Sequence, residues 1–215
     1  MFLMEEIRVN IGDILLCLSS AQNIISPIIS RHNEQVAYLS FKLCEQLNIS
    51  SPKIEDVFLA ALVHDIGALS VDEQLELIET EPPNVNSHAF KGAKLIKDFA
   101  PLKAASYIIK YHHLPWDYGR GNRYMGESVP AGSHIIHLAD RVCAQFKTKY
   151  NVISQVPQVL ESIEKHKGAQ FVPEYVDALC ELSRKEYIWL DLMSDDPIGK
   201  LPEGIMGVIV LEMEK

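Results

Sequence analysis

Residues 59–70, LAALVHDIGALS, carry an apolar run into an adjacent histidine and aspartate, His64 and Asp65, and then turn at Gly67. Both side chains are costly to bury without partners. Three arrangements would account for them: a capped helix end, a buried His–Asp hydrogen bond, or two ligands aimed at a metal ion. Other residues of the same chemistry sit at comparable places. His32 opens a predicted helix, His88 stands in the first turn of another with Gly92 one turn later, and His112–His113 closes a third just before Pro115. Asp140 lies within the apolar stretch HIIHLADRV. Taken singly, each is more often a surface residue or a satisfied core group. Together, five helices each offer an imidazole or a carboxylate, and a helical bundle can point such groups at one interior spot.

Five neutral imidazoles and two carboxylates exceed the three or four protein ligands of a catalytic zinc. They match two divalent metals with Asp65 between them, a centre that holds a bridging hydroxide and binds the phosphoryl oxygens of an in-line displacement. Mixed nitrogen and oxygen ligation suits iron or manganese, with zinc, cobalt or nickel as alternatives. The start of a helix also disfavours a protonated imidazole, which keeps His88 available as a ligand.

The elements that must position these groups read as helices. Apolar spacing predicts helices over Ile11–Ile25, ending near Pro27, and over Asn33–Leu47, with Val36, Leu39, Leu43 and Leu47 on one face. Lys53–His64 follows Pro52, which a first helical turn tolerates. Further helices are expected over Asp72–Ile78, His88–Phe99, Leu102–His113, Ala131–Tyr150, Val159–Lys167 and Pro173–Leu192. TEPPN (80–84) breaks the chain, and DYGRGNRYMGESVP (117–130) reads as a glycine-rich loop bearing Arg120 and Arg123. From Ser194 the sequence turns, then runs through IMGVIVLEM (205–213), a β-prone tail expected to dock on the core, with a homodimer contact as the alternative. The expectation is one all-α domain over residues 1–192, a bundle of about seven to nine helices, with 193–215 as a tail.

The chain has 215 residues, 47% of them hydrophobic, enough for a sizeable core. Its net charge of −9 argues against a partner of duplex nucleic acid, which needs a basic face. Cys17, Cys44, Cys143 and Cys180 form no CxxC pair and fit reduced thiols of a cytoplasmic protein. Charged residues interrupt the opening MFLMEEIRVNIGDILLCLSS, so it reads as neither signal peptide nor membrane anchor.

The ordered set His32, His64–Asp65 and Asp140 resembles the HD superfamily of metal-dependent phosphohydrolases. The added His88 and HHLPWD (112–117) are similar to its HD-GYP branch, which hydrolyses cyclic di-GMP at a two- or three-metal centre. VPAGSHIIHLADRV and GAQFVPEYVDAL (168–179) resemble later segments of that branch, so the likeness runs from about residue 11 to about residue 192. The resemblance implies an HD-domain helical bundle with His32, His64, Asp65 and Asp140 around one metal, and Asp65, His88, His112 and His113 around the other. His64 and Asp65 are then the candidate catalytic pair. Departures are equally specific. The branch's His-Asp-x-Gly-Lys has Ala68 where the lysine stands, Gly-Tyr-Pro is replaced by DYGRGNRY, and Ile28 occupies the position of a third-metal glutamate. Two metals are therefore expected rather than three.

Arg120 and Arg123 are the candidates for substrate phosphate, since guanidinium binds phosphate bidentately, and Lys91 is a weaker one. Trp116 and Tyr118 could stack on a base, or Trp116 could anchor its loop. His137, one turn before Asp140, either orients that carboxylate or faces solvent, while His134 and His166 are expected at the surface. The expected function is a cytoplasmic di-metal phosphodiesterase acting on cyclic di-GMP or a related nucleotide phosphodiester. The alternative is a metal-containing module that binds a nucleotide or protein partner without turnover.

Overall fold

A helix that is apolar on one side only would sit at the surface, but from Gln35 to Phe41 every side chain of α1 (Pro27–Gln46) is buried. Such a helix belongs at the centre of a bundle, and α1 packs against α2 (Ser51–Leu62), α6 (Ala131–Cys143) and α8 (Pro173–Ser183). Its C-terminus closes with a left-handed residue, Asn48 at φ 54°, while the Ile49 amide donates to Cys44 O at 3.0 Å and the Asn48 amide to Glu45 O at 3.1 Å. That turn satisfies the last carbonyls and reverses the chain into α2.

The computed structural model describes residues 5–17, 27–79, 86–147, 149–202, 205 and 208–213. Beyond α2 come α3 (Val71–Glu79), α4 (Asn86–Ile96) and α5 (Lys103–Ile109), then a hairpin of β2 (Arg123–Tyr124) and β3 (Glu127–Ser128) before α6. α7 (Val152–Glu164), α8 and α9 (Glu186–Leu192) complete the helices. β1 (Glu5–Asn10) pairs antiparallel with β4 (Val208–Met213), Glu5 opposite Met213 and Asn10 opposite Val208. The β-prone tail thus pairs with the opposite end of its own chain. Its partner strand was missed because the alternation of Ile7 and Val9 with charged residues spans only six positions.

The mostly helical fold is as expected, and several boundaries are corrected. Residues 11–17 are helical, and the continuation to Ile25 and the break at 80–84 lie outside the described residues. Pro27 starts α1 rather than ending its predecessor, because a proline without an amide hydrogen costs nothing at a first turn. His32 consequently lies in the second turn of α1 and does not open it. α6 stops at Cys143, not Tyr150, and the Gln155 side chain takes up the following turn through Lys147 N, Lys147 O and Tyr150 O. α7 begins at Val152, capped by the Asn151 side chain on Ser154 N, seven residues before the expected start and across Pro157. The single helix expected over 173–192 is two. Trp189 is buried against the core and its indole N–H donates to Ser183 O at 3.2 Å, occupying a carbonyl that a continuous helix would use.

Candidate metal centre

Asp65 sits in the turn after α2 (residues 63–67), where Ile66 N donates to Val63 O and Ala68 N to Asp65 O. That turn lies hard against the start of α4. A β-carbon on Gly67 would overlap the His88 carbonyl oxygen and the Gly92 amide, so two glycines set the approach that brings His88 to Asp65. The turn after α5 delivers His112 and His113 to the same place, and α1 supplies His32 from the other side.

The result is a continuous row of buried imidazoles. Ring centroids are 5.6 Å apart for His32–His64, 5.3 Å for His64–His112, 5.2 Å for His88–His112 and 4.9 Å for His88–His113. Two overlapping groups could hold metal ions: Asp65, His88, His112 and His113, and His32, His64 and Asp65, each with its ligand atoms within 4.8 Å of one another. Asp65 belongs to both. Its Oδ1 faces His88 Nε2 at 3.1 Å and His112 Nε2 at 3.7 Å, and its Oδ2 faces His64 Nε2 at 3.3 Å.

Whether these residues suit a cation is decided by their donors. His64 Nδ1–H donates to Ala61 O at 2.8 Å and His112 Nδ1–H to Ile109 O at 2.7 Å, so both rings aim a bare Nε2 inward. His64 Nε2 and Asp65 Oδ1 are buried in no hydrogen bond of good geometry, although the imidazoles lie close by. His88 Nε2 is 3.4 Å from His112 Nε2 and 3.2 Å from His113 Nε2, and a neutral His88 has at most one hydrogen to share there. Metal–nitrogen bonds of about 2.0–2.1 Å put neighbouring ligand atoms roughly 3.0–3.4 Å apart. The donor set fits divalent cations better than it fits a hydrogen-bond network of its own.

Burial alone would raise the Asp65 carboxyl, but His64, His112 and His88 outweigh it and hold the group well below the usual carboxylate range. Burial and the neighbouring His113 push His112 down to about 3, which keeps its lone pair available. Asp140 is ionised for a different reason. Against the upward effect of burial, Arg141 pulls its carboxyl well down, helped by His32. Arg141 Nε and Nη2 donate to Asp140 Oδ2 at 3.0 and 2.8 Å, and Nη2 also donates to Leu77 O at 2.9 Å. The other oxygen, Oδ1, meets His32 Nε2 at 2.9 Å. Asp140 therefore reaches the row through His32, and Arg141, which sequence reasoning missed, is what orients it. The only signal was a basic residue directly after the aspartate.

His137 is buried, its ring 6.0 Å from His113 and 5.3 Å from Phe171, so it does not face solvent. His134, expected at the surface, is also buried, because α6 is enclosed on all sides from Gly132 to Asp140. His166 is exposed, as expected. The candidate phosphate-binding cations are not gathered at the row by any contact among the described residues. Arg120 is exposed and paired with Asp117 of its own loop at 2.6 Å. Arg123 is exposed on β2, and Lys91 lies 3.7 Å from Glu73. Trp116 packs edge-on against His134 at 5.4 Å, which makes it an anchor, while Tyr118 is exposed. A groove of about 650 Å³ lies elsewhere, lined by Lys53, Val57, Ile108, Gly132 and Tyr175 and by none of the histidines.

The model of the HD domain family matches residues 29–145, the span from α1 to α6 that carries every residue of the row. A 3′3′-cGAMP-specific phosphodiesterase of Vibrio cholerae is 26% identical over 194 residues, covering 87% of this chain and 45% of the relative. A cyclic di-GMP phosphodiesterase of Thermotoga maritima is 25% identical over 166 residues, covering 72% of this chain and 45% of the relative. The chain spans less than half the length of either. A solved cyclic GMP-AMP-specific phosphodiesterase of V. cholerae shares the fold, with a TM-score of 0.63 and 18% identity over 83% of this chain and 50% of that one. No helix among the described residues is long and apolar enough to cross a membrane.

Proposed function

This chain belongs to the HD domain family, and from that premise we propose that it is a two-metal phosphodiesterase that hydrolyses a cyclic dinucleotide, cyclic di-GMP or cyclic GMP-AMP. The observation that carries the proposal is the placement of Asp65, whose two oxygens face separate imidazole nitrogens at 3.1 and 3.3 Å. His32, His64, Asp65 and Asp140 would hold one divalent ion, and Asp65, His88, His112 and His113 the other. Iron or manganese suits this mixture of imidazole and carboxylate. Bound there, the two ions would neutralise charge on the phosphoryl oxygens and lower the pKa of the attacking water.

The chain's own residues prepare that chemistry. Backbone carbonyls of Ala61 and Ile109 take the Nδ1 protons of His64 and His112 and fix both tautomers. Arg141 keeps Asp140 ionised and fixed in orientation. Burial keeps His112 neutral, so it does not compete with a cation by protonating. The names of the relatives support a cyclic dinucleotide as substrate.

A second reading, a metal-containing module that binds a nucleotide without turnover, is favoured by Ala68 and by the engagement of Arg120 with Asp117. Elemental analysis of anaerobically purified protein, followed by assays with cyclic di-GMP, cyclic GMP-AMP and bis(p-nitrophenyl) phosphate, separates the two. The proposal expects close to two equivalents of divalent metal and turnover of at least one cyclic dinucleotide. Metal with tight nucleotide binding but no product would establish the second reading, and metal-free protein in which Asp65→Ala changes nothing would refute both.

A further inference from the structure

The segment between the double histidine and α6 was read as a loop, yet it is built to one shape. Asp117, Tyr118 and Gly119 have φ of 46°, 54° and 94°, three consecutive residues in a region that is costly for the two with side chains. Such a run persists only where its surroundings impose it. One restraint is a backbone zipper in which Trp116, Asp117 and Tyr118 amides donate to the Gln170, Ala169 and Gly168 carbonyls at 2.9, 2.7 and 2.8 Å. A second is internal. Gly121 N donates to Trp116 O at 2.8 Å, and a side chain at Gly121 would overlap the Pro115 carbonyl.

The third restraint comes from the core. His134 is buried, 4% exposed, with Nε2 3.2 Å from Gly121 O and its ring edge-on to Trp116. A carbonyl only accepts, so Nε2 carries the hydrogen, and burial, with His137 nearby, keeps the ring neutral with a pKa down to about 4. An aliphatic side chain would fill this space but leave the Gly121 carbonyl without its donor. His134 stands on the same helix as Asp140, and the loop follows His112–His113 directly, so this contact fixes the loop relative to the histidine row.

We propose that His134 is a positioning residue that latches residues 114–124 onto α6 and so sets where the loop presents Arg120 and Arg123 to the substrate. The inference rests on the phosphodiesterase reading for its functional consequence, though not for the latch itself. It is tested with His134→Phe, which keeps the bulk and loses the donor, and His134→Gln, which can restore an N–H near the Nε2 position.

Limited trypsinolysis reads the loop directly, since Arg120 and Arg123 are exposed cleavage sites within it. His134→Phe is expected to be cut there about tenfold faster, the scale of one lost buried hydrogen bond, and to show a comparable rise in KM for cyclic di-GMP. Metal content and kcat for bis(p-nitrophenyl) phosphate stay near wild type, and His134→Gln recovers most of both losses. Cleavage of His134→Phe at the wild-type rate overturns the latch. So does a loss of metal, or of both activities equally, in the two variants alike, because that marks a general structural role. If His134→Phe does not fold, His134→Gln alone decides: a wild-type cleavage rate and KM support the latch, and a loss of either overturns it. Should the wild-type chain hydrolyse no phosphodiester, the functional reading fails while the cleavage rates still decide the latch.

Discussion

The histidine row and the 114–130 segment follow one another in sequence, yet they are restrained in opposite ways. In the row, the restraints are largely shielded from water: His64 and His112 are fixed by buried carbonyls of the helix that precedes each, and Asp140 by the partly buried Arg141. In the loop, the backbone is held by Gln170, Ala169, Gly168 and His134, while Arg120 and Arg123 are exposed and Arg120 pairs with its near neighbour Asp117. A desolvated group has few alternatives to the contact it makes, so its position survives thermal motion. An exposed ion pair such as Arg120–Asp117 is screened by water and contributes little. On the proposed reading, the groups for reaction chemistry are pre-organised in this fold, whereas recognition is left to side chains that must choose between solvent, each other and a ligand.

Substitutions can break that contrast, and the largest effect belongs to its buried half. Asp65→Asn keeps the shape but removes the charge shared by both halves of the row. It is expected to lower turnover on the order of a thousandfold, as loss of a preorganised charge does, and elemental analysis should show reduced metal. Gly67→Ala attacks the geometry rather than the charge. Because its β-carbon would overlap the backbone of α4, stability measured by urea unfolding should fall by about 3 kcal/mol. Arg141→Gln leaves Asp140 with a neutral neighbour, and metal affinity measured by competition with a chelator should drop by roughly 10–100-fold.

His134 supplies a test that depends on pH. Its folded pKa, about 4, lies below the unfolded value of about 6.5. Between those limits the unfolded chain binds more protons, so stability decreases as pH falls through that window and is fully retained above it. Taking unfolding free energies at pH 7 and pH 5, the gap between wild type and His134→Phe should move in the variant's favour by roughly 2 kcal/mol. An unchanged gap would mean that the ring is not desolvated as the structure has it. The smallest effect is expected on the exposed side: Arg120→Ala should leave metal content and stability within about 0.5 kcal/mol of wild type and act on KM for the cyclic dinucleotide alone.

Some of this was legible from residue order. His64–Asp65, His88 and His112–His113 each lie at a helix terminus marked by a proline, a glycine or an apolar run, and such termini can be located from local signals. His32 was placed at a helix start because the helix was taken to begin after Pro27 rather than at it. The burial of His134 escaped, and that of His137 was left open, because periodicity distinguishes an inner from an outer face, and α6 has no outer face over most of its length. Arg141 escaped because adjacent residues on a helix are not expected to meet. It pairs with Asp140 by folding back along the helix while also donating to Leu77 O in α3.

Chain order alone determined the kinds of atoms available for catalysis, the helical elements that carry them and the family they resemble, since all three rest on local propensity and on the identity of side chains. The packing of α1, α2, α4, α5 and α6 determined the rest. It brought the two oxygens of Asp65 to different imidazoles, turned Arg141 onto Asp140 and enclosed His134 beneath the loop. Those are relations between segments distant in sequence, and they exist only once neighbouring helices exclude water and leave each polar atom only the partners the packing supplies.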